Sequence, residues 1–139
     1  MVESKDKLVL ITGAGSGIGE ALAYQFAQKR TNVLLTGRRR ANLEKVKVEC
    51  EKMGVKGYVC ELDLEQYSSI DSLVEYIDSN GLNPNFIVLN AGISQRALTF
   101  DSDFSVDQKL MNTNYFGSVY LIKKLRHHLI GAPKAHIAV

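Results

Sequence analysis

Apolar positions along this chain alternate between two periods. Short runs rich in apolar residues at 8–12, 32–36, 56–60, 86–90 and 135–139 read as strands. Between them, residues 17–29, 41–53, 68–79 and 106–127 place apolar side chains at three- and four-residue spacing and read as helices. The first helix carries Ile18, Leu22 and Phe26 on one face, with Ala21 and Ala23 beside them. The second carries Leu43, Val46, Cys50 and Met53, and the third Ile70, Leu73, Val74 and Ile77. Gly54, Asn80-Gly81 and Gly131 stand where helices stop. Strands alternating with helices predict right-handed crossovers and a parallel sheet covered on both faces, an α/β fold. No repeat, linker or low-complexity segment divides the chain, so residues 1–139 read as one domain.

The first strand runs straight into Thr12-Gly13-Ala14-Gly15-Ser16-Gly17-Ile18-Gly19, and this turn opens the first helix. That order gathers backbone N–H groups and the positive end of a helix dipole at one point, which suits a phosphate. Glycines let the backbone approach a pyrophosphate and let strand and helix pack closely. A plain strand–turn–helix connection would use them for tightness alone. A nucleoside-triphosphate P-loop is excluded, because it needs Lys and Ser/Thr directly after the last glycine, and Glu20 and Ala21 follow Gly19.

The spacing Thr-Gly-x-x-x-Gly-x-Gly, with Asn90-Ala91-Gly92 further on, resembles the short-chain dehydrogenase/reductase family over residues 7–139. The stretches Gly92-Ile93-Ser94-Gln95-Arg96 and Met111-Asn112-Thr113-Asn114-Tyr115-Phe116-Gly117 are most similar to its dehydrogenase/reductase member 7 subgroup. The resemblance implies a Rossmann-type doubly wound parallel sheet, strand order 3-2-1-4-5. It also implies an NADP-dependent oxidoreductase that moves hydride between nicotinamide and a small-molecule carbonyl or alcohol substrate. Cofactor contacts are implied at Gly13, Gly15, Ser16, Gly17, Ile18 and Gly19.

In such a sheet the residue just past strand two meets the adenosine ribose. An acid there would bond both ribose hydroxyls and repel a 2′-phosphate. This chain instead has Thr36-Gly37-Arg38-Arg39-Arg40, and no Asp or Glu between Glu20 and Glu44. Arg38 lies about 20 residues past the glycine turn and can fork onto a 2′-phosphate, with Arg39 beside it. In the resembling family an Arg at this position accompanies NADP preference, so NADP(H) is the expected cofactor. As a merely solvated loop, three cations at a helix N-terminus would oppose the dipole, a mismatch a bound anion relieves. By resemblance, Asp63, with Leu64, meets the adenine amino group; on residue chemistry alone Asp63 is equally a cap of helix three or a loop acid. Asn90, Ala91 and Gly92 follow strand four at the carboxyl edge, where ligands of open α/β sheets lie. Small residues there admit the nicotinamide ribose. A simple strand-end turn accounts for Ala91 and Gly92 but less well for Asn90.

Asn114, three residues before Gly117, matches the family's helical Asn, which disturbs the helix and holds a water in a proton relay. A polar residue at a helix interface is the alternative reading. Asn112 points elsewhere on the helix. The resemblance further implies a Ser that polarises the carbonyl and a Tyr acid/base with a Lys four residues later, whose charge lowers the Tyr pKa. These belong after strand five. The chain therefore reads as the cofactor-binding part of a longer enzyme. A non-catalytic dinucleotide-binding module, sensor or scaffold, is the alternative, and a half completed by strands of another chain is a third. One Tyr-x-x-x-Lys occurs, at Tyr120 and Lys124 on one helix face. It precedes strand five and lacks the Ser, so surface or subunit contact is expected of it. In related proteins this long helix helps form the dimer interface. A homo-oligomer is therefore expected, with Tyr115, Phe116, Val119 and Leu121 supplying apolar area for it or for the core. His127 and His128 read as helix-end residues rather than metal ligands.

Composition narrows what remains. Hydrophobic content of 45% and charged content of 23% suit a globular chain. No apolar run approaches the ~20 residues of a membrane span, and residues 1–7 hold no signal-type apolar stretch. No membrane segment and a cytoplasmic location are expected. Cys50 and Cys60 read as reduced thiols, too few for a disulfide framework. A net charge of +2 singles out no partner. Nucleic acid would want a basic face, and the one dense basic run, Arg38-Arg39-Arg40, already has a role.

Overall fold

Strands β1 (Leu8–Thr12), β2 (Asn32–Gly37), β3 (Gly57–Glu61), β4 (Phe86–Val88) and β5 (His136–Ala138) pair in parallel in the order β3-β2-β1-β4-β5. The computed structural model describes residues 7–139. This is the doubly wound order expected from the sequence. β1 is central and every residue of it is buried, as a continuous apolar run requires of a parallel strand covered on both faces. Its register sets Leu10 against Leu34 on one side and Ile87 on the other.

The helices are α1 (Gly17–Gln28), α2 (Arg40–Lys52), α3 (Tyr67–Ser79), α4 (Phe104–Met111), α5 (Gly117–Lys124) and α6 (Arg126–Gly131). On one face of the sheet, Val9, Ile11, Val33 and Leu35 pack with Ala23 and Ala27 of α1 and Leu43, Val46 and Cys50 of α2. On the other, Leu10, Leu34 and Ile87 pack with Ile70, Leu73 and Ile77 of α3 and with Leu121 and Leu125.

Three expectations need correction. α1 fully buries Gly19, Ala23 and Ala27, and Leu22 and Phe26 of the expected face are partly buried against the same core, but Ile18 and Ala21 are exposed. Small residues face the sheet because α1 starts against the glycine turn and lies too close for larger ones. The helix expected over 106–127 begins earlier, at Phe104, where the Asp103 carboxylate accepts the Ser105 N–H at 2.8 Å, a regular N-cap. It is also divided: a π-helical turn, Asn112–Phe116, separates α4 from α5, and Leu125 separates α5 from α6. The sheet is covered on both faces only as far as β4, since His136 and Ile137 of β5 are exposed. No helix among the described residues is long and apolar enough to cross a membrane.

Candidate functional site

At the carboxyl ends of β1 to β4 a cleft of about 310 Å³ opens, at the lower end of ligand-site volumes. One wall is the turn after β1. Gly13 (φ +68°) and Gly17 (φ +57°) hold left-handed backbone there, which glycine adopts without the strain a Cβ brings. A Cβ at Gly19 would strike the Gly13 carbonyl oxygen and come within 2.7 Å of Asn90 Nδ2. Ser16, at the N-cap of α1, makes no side-chain cap bond, so no side chain competes for the first-turn N–H groups. Gly13, Gly15 and Ser16 line the cleft. Gly17, Ile18 and Gly19 do not: the two glycines act through backbone shape, and the Ile18 side chain faces solvent.

Thr12 joins this turn to the end of β4. Its buried Oγ1 accepts the Asn90 and Ala91 N–H groups, both at 3.0 Å, and donates to the Val88 carbonyl at 3.4 Å. Asn90 Nδ2 donates back to the carbonyls of Thr12 (3.1 Å) and Gly13 (3.2 Å). That exchange accounts for an amide side chain at position 90, which a plain turn does not. The sequence motif alone gives Thr12 no role; its signal is a hydroxyl at the last position of a buried apolar strand. Thr36 does the same on the far side, donating to the Ile11 carbonyl at 2.9 Å, while Ala14 N–H donates to Thr36 O at 3.0 Å.

Arg38 and Arg39 line the cleft between β2 and α2. Arg39 occupies the α2 N-cap, where no side chain caps the helix. Of the three arginines, Arg40 pairs with Glu44 at 3.4 Å; neither Arg38 nor Arg39 forms an ion pair among the described residues. Asp63 and Leu64 line the opposite wall. Asp63 Oδ1 accepts the Glu65 N–H at 3.0 Å, and Asp63 N–H donates to Ser69 Oγ at 2.9 Å. The carboxylate thus fixes its own loop rather than capping α3. Gly37, Leu43, Leu62, Glu65, Ile93 and Thr113 complete the lining. Sequence pattern gives none of them a place in the site, since Leu43 reads as core and nothing local separates the others from ordinary loop or core positions.

Asn90, Ala91 and Gly92 form the third wall. Behind them, Asn114 lies in the π turn, whose closing bond runs from Gly117 N–H to Asn112 O. Asn114 Oδ1 accepts the Ile93 N–H and its Nδ2 donates to the Ile93 carbonyl, both at 2.8 Å. The helix is disturbed where the resemblance places the disturbance. Each of these side-chain atoms makes one main-chain bond, which leaves Oδ1 a second lone pair and Nδ2 a second N–H. Gly117 keeps this segment close, since a Cβ there would strike the Leu64 carbonyl oxygen. Tyr120 and Lys124 stand outside the cleft: Tyr120 OH donates to Asp71 Oδ1 at 2.8 Å, Lys124 Nζ lies 3.2 Å from the same atom, and Tyr120 stacks on Tyr67. They fasten α5 to α3. Leu121 is core, whereas Tyr115 and Phe116 are exposed.

The profile of the short chain dehydrogenase family matches residues 7–139. A Drosophila melanogaster dehydrogenase/reductase SDR family protein 7-like is 38% identical over 135 residues, 94% of this chain and 41% of that protein. The chain spans about two fifths of the length of the curated relatives it matches. Among solved structures, L-sorbose reductase from Gluconobacter frateurii, complexed with NADPH and L-sorbose, superposes with a TM-score of 0.90 at 25% identity, covering 96% of this chain and 51% of that one. An NAD+-bound xylitol dehydrogenase superposes with a TM-score of 0.88 at 24% identity, covering 97% and 52%.

Proposed function

Because the chain belongs to the short chain dehydrogenase family, we propose that its cleft binds NADP(H) and that the protein is an oxidoreductase acting between nicotinamide and a carbonyl or alcohol substrate. The observation that carries the reading is convergence. The glycine turn, Arg38 and Arg39, Asp63, and Asn90 to Gly92 come from four separate connections and line one cavity. The dinucleotide, when bound, supplies the hydride; the chain supplies position.

The α1 N-terminus, free of a side-chain cap, suits a pyrophosphate. Arg38 and Arg39, at the equally uncapped start of α2, suit a 2′-phosphate, since a guanidinium fork meets phosphate oxygens in pairs. An anion there also offsets like charge at the helix's positive end. Asp63 offers an acceptor to an exocyclic amine. Small residues at 91 and 92 let backbone approach a ribose, and Asn114 holds Ile93 behind them. The fold alone leaves the nucleotide open, as the NADPH and NAD+ structures named above illustrate; the arginines support NADP(H). Phe104, Met111, Tyr115 and Phe116, exposed around the π turn, support self-association through this face. No Tyr or Lys lines the cleft among the described residues, so binding rather than turnover is the property to measure on this chain.

Calorimetric titration with NADPH and NADH tests the reading. NADPH should bind at least about tenfold more tightly, a difference of about 1.4 kcal/mol. Arg38→Asp should abolish or reverse that preference. Equal affinities in the parent, or an unchanged preference in the variant, would remove Arg38 as the phosphate reader. Failure of a folded sample to bind either nucleotide would sink the cofactor reading.

A further inference from the structure

The break at Leu125 (φ −87°, ψ 8°) separates α5 from α6, and the first turn of α6 presents His127 and His128 side by side. Their ring centroids are 4.1 Å apart. Both Nε2 atoms converge on one oxygen, Asp78 Oδ1 near the end of α3, at 3.2 Å and 2.8 Å. Adjacent helical residues ordinarily diverge, so this common target is made by the tertiary fold. Sequence pattern alone makes the two histidines helix-end residues rather than metal ligands, because an acid some fifty positions away is invisible to it. The His128 side chain is 8% exposed, while those of His127 and Asp78 are about half exposed. The cluster is therefore anchored on one side and open to solvent on the other.

We propose that Asp78, His127 and His128 bind a divalent transition metal, Zn²⁺ foremost, which fastens α6 to α3. Two imidazole nitrogens and a carboxylate oxygen are donors zinc takes, and a water completes four-coordination. Tetrahedral bonds of about 2.0–2.1 Å set ligand atoms roughly 3.3 Å apart. The N···O separations here are 3.2 and 2.8 Å, and all three donor atoms lie within 4.8 Å of one another. Side-chain rotation covers the remaining difference. Independently, Asp78 stands in the last turn of α3, where terminal carbonyls and the negative end of the dipole favour a cation. Mg²⁺ and Ca²⁺ prefer all-oxygen sites and do not compete here. Cys50 and Cys60 lie outside the cluster, and burial pushes the Cys50 thiol up to about 11, which keeps it a poor ligand. The chain leaving α6 forms β5, whose Ala138 carbonyl accepts the Leu89 N–H at 2.8 Å beside the cleft. A metal between α3 and α6 steadies that edge.

Calorimetry of the metal-free chain with ZnCl2, against MgCl2, should show one zinc per chain and no magnesium. The melting temperature should rise with zinc concentration, as for any ligand of the native state. Asp78→Ala and His127→Ala alter half-exposed residues. Each should weaken zinc by at least the 10- to 100-fold that loss of a mere outer-shell partner typically costs (about that range), with circular dichroism showing the fold retained. Cys60→Ser should bind zinc as the parent does. No zinc binding by the folded parent, unchanged affinity in both cluster variants, or loss of affinity in Cys60→Ser would each overturn the site.

Discussion

The half of the sheet around β1 and the half that ends in β5 are built on different terms. In β1 and β2, Val9, Leu10, Ile11, Val33, Leu34 and Leu35 have no exposed surface. In β5, Ile137 is 47% exposed although it pairs in register with Ile87, which is fully buried. The helices follow suit: α1, α2 and α3 each bury three residues, while α4 and α6 bury none. The turn and the arginines that would grip phosphates stand on the first region. The wall proposed for the nicotinamide end leans on the second, through Asn114 and Ile93. The grip proposed for the nucleotide thus rests on a sheet packed on both faces, whereas from α4 to β5 only Leu121 and Leu125 among the apolar side chains are buried, and polar links at the rim add to them.

The sharpest way to break this comparison is at the register pair itself. Ile87→Ala removes side-chain volume from a closed core and should cost about 2–5 kcal/mol. Ile137→Ala, at the open edge, should cost about 1 kcal/mol or less. Urea unfolding of the two variants measures both. Equal losses would mean that the edge is as tightly packed as the centre and that the distinction is false.

A smaller effect is expected where the two regions meet. Thr12→Val keeps the shape but deprives the Asn90 and Ala91 N–H groups of their acceptor. Leaving two half-buried donors unpaired should cost about 1–2 kcal/mol and loosen the wall, so NADPH affinity should fall as well. Thr12→Ser keeps the hydroxyl and should lose much less of either. If Thr12→Val proved neutral in denaturant, the β4 end would be held by packing rather than by this side chain.

The same division explains what the sequence could and could not disclose. Buried parallel strands read as apolar runs, so β1 and β2 were legible to within a residue. That the glycine turn, Arg38, Asp63 and the residues at 90–92 meet at one cleft was legible from motif order and the family resemblance, Asp63 from the resemblance alone. On α1 the pattern shows Leu22, Ala23 and Phe26 but misplaces Ile18, because close packing at Gly19 favours small residues against the sheet and hydrophobicity does not report distance. The π turn was invisible as geometry: it depends on Gly117 meeting the Leu64 carbonyl and on Asn114 meeting Ile93, contacts between segments far apart in the chain. Asp71 with Tyr120, and Asp78 with the two histidines, were hidden for the same reason.

The smallest predicted effect asks whether polar links at the rim matter at all. Hydrogen bonds from Tyr120 and then Lys124 hold the Asp71 carboxyl below its ordinary 3.8, and the same carboxylate, with Tyr120, raises Lys124 above 10.5. A depressed acid contributes stability that is present above its unfolded value and lost as pH falls through the folded one; a raised base contributes below its unfolded value and loses it as pH climbs through the folded one. The link between α3 and α5 should therefore weaken below about pH 3.8 and above about pH 10.5. Asp78 and Asp103 are also held low by their hydrogen bonds and titrate at the acid end, so the informative quantity is the difference between parent and Asp71→Asn. Urea midpoints across pH should fall less steeply at both extremes in the variant, by a small margin because the pair is exposed and screened by solvent. Identical pH profiles would leave the stack of Tyr67 on Tyr120 and the burial of Leu121 as what holds α5, and would move α5 from the loosely fastened region to the tightly packed one.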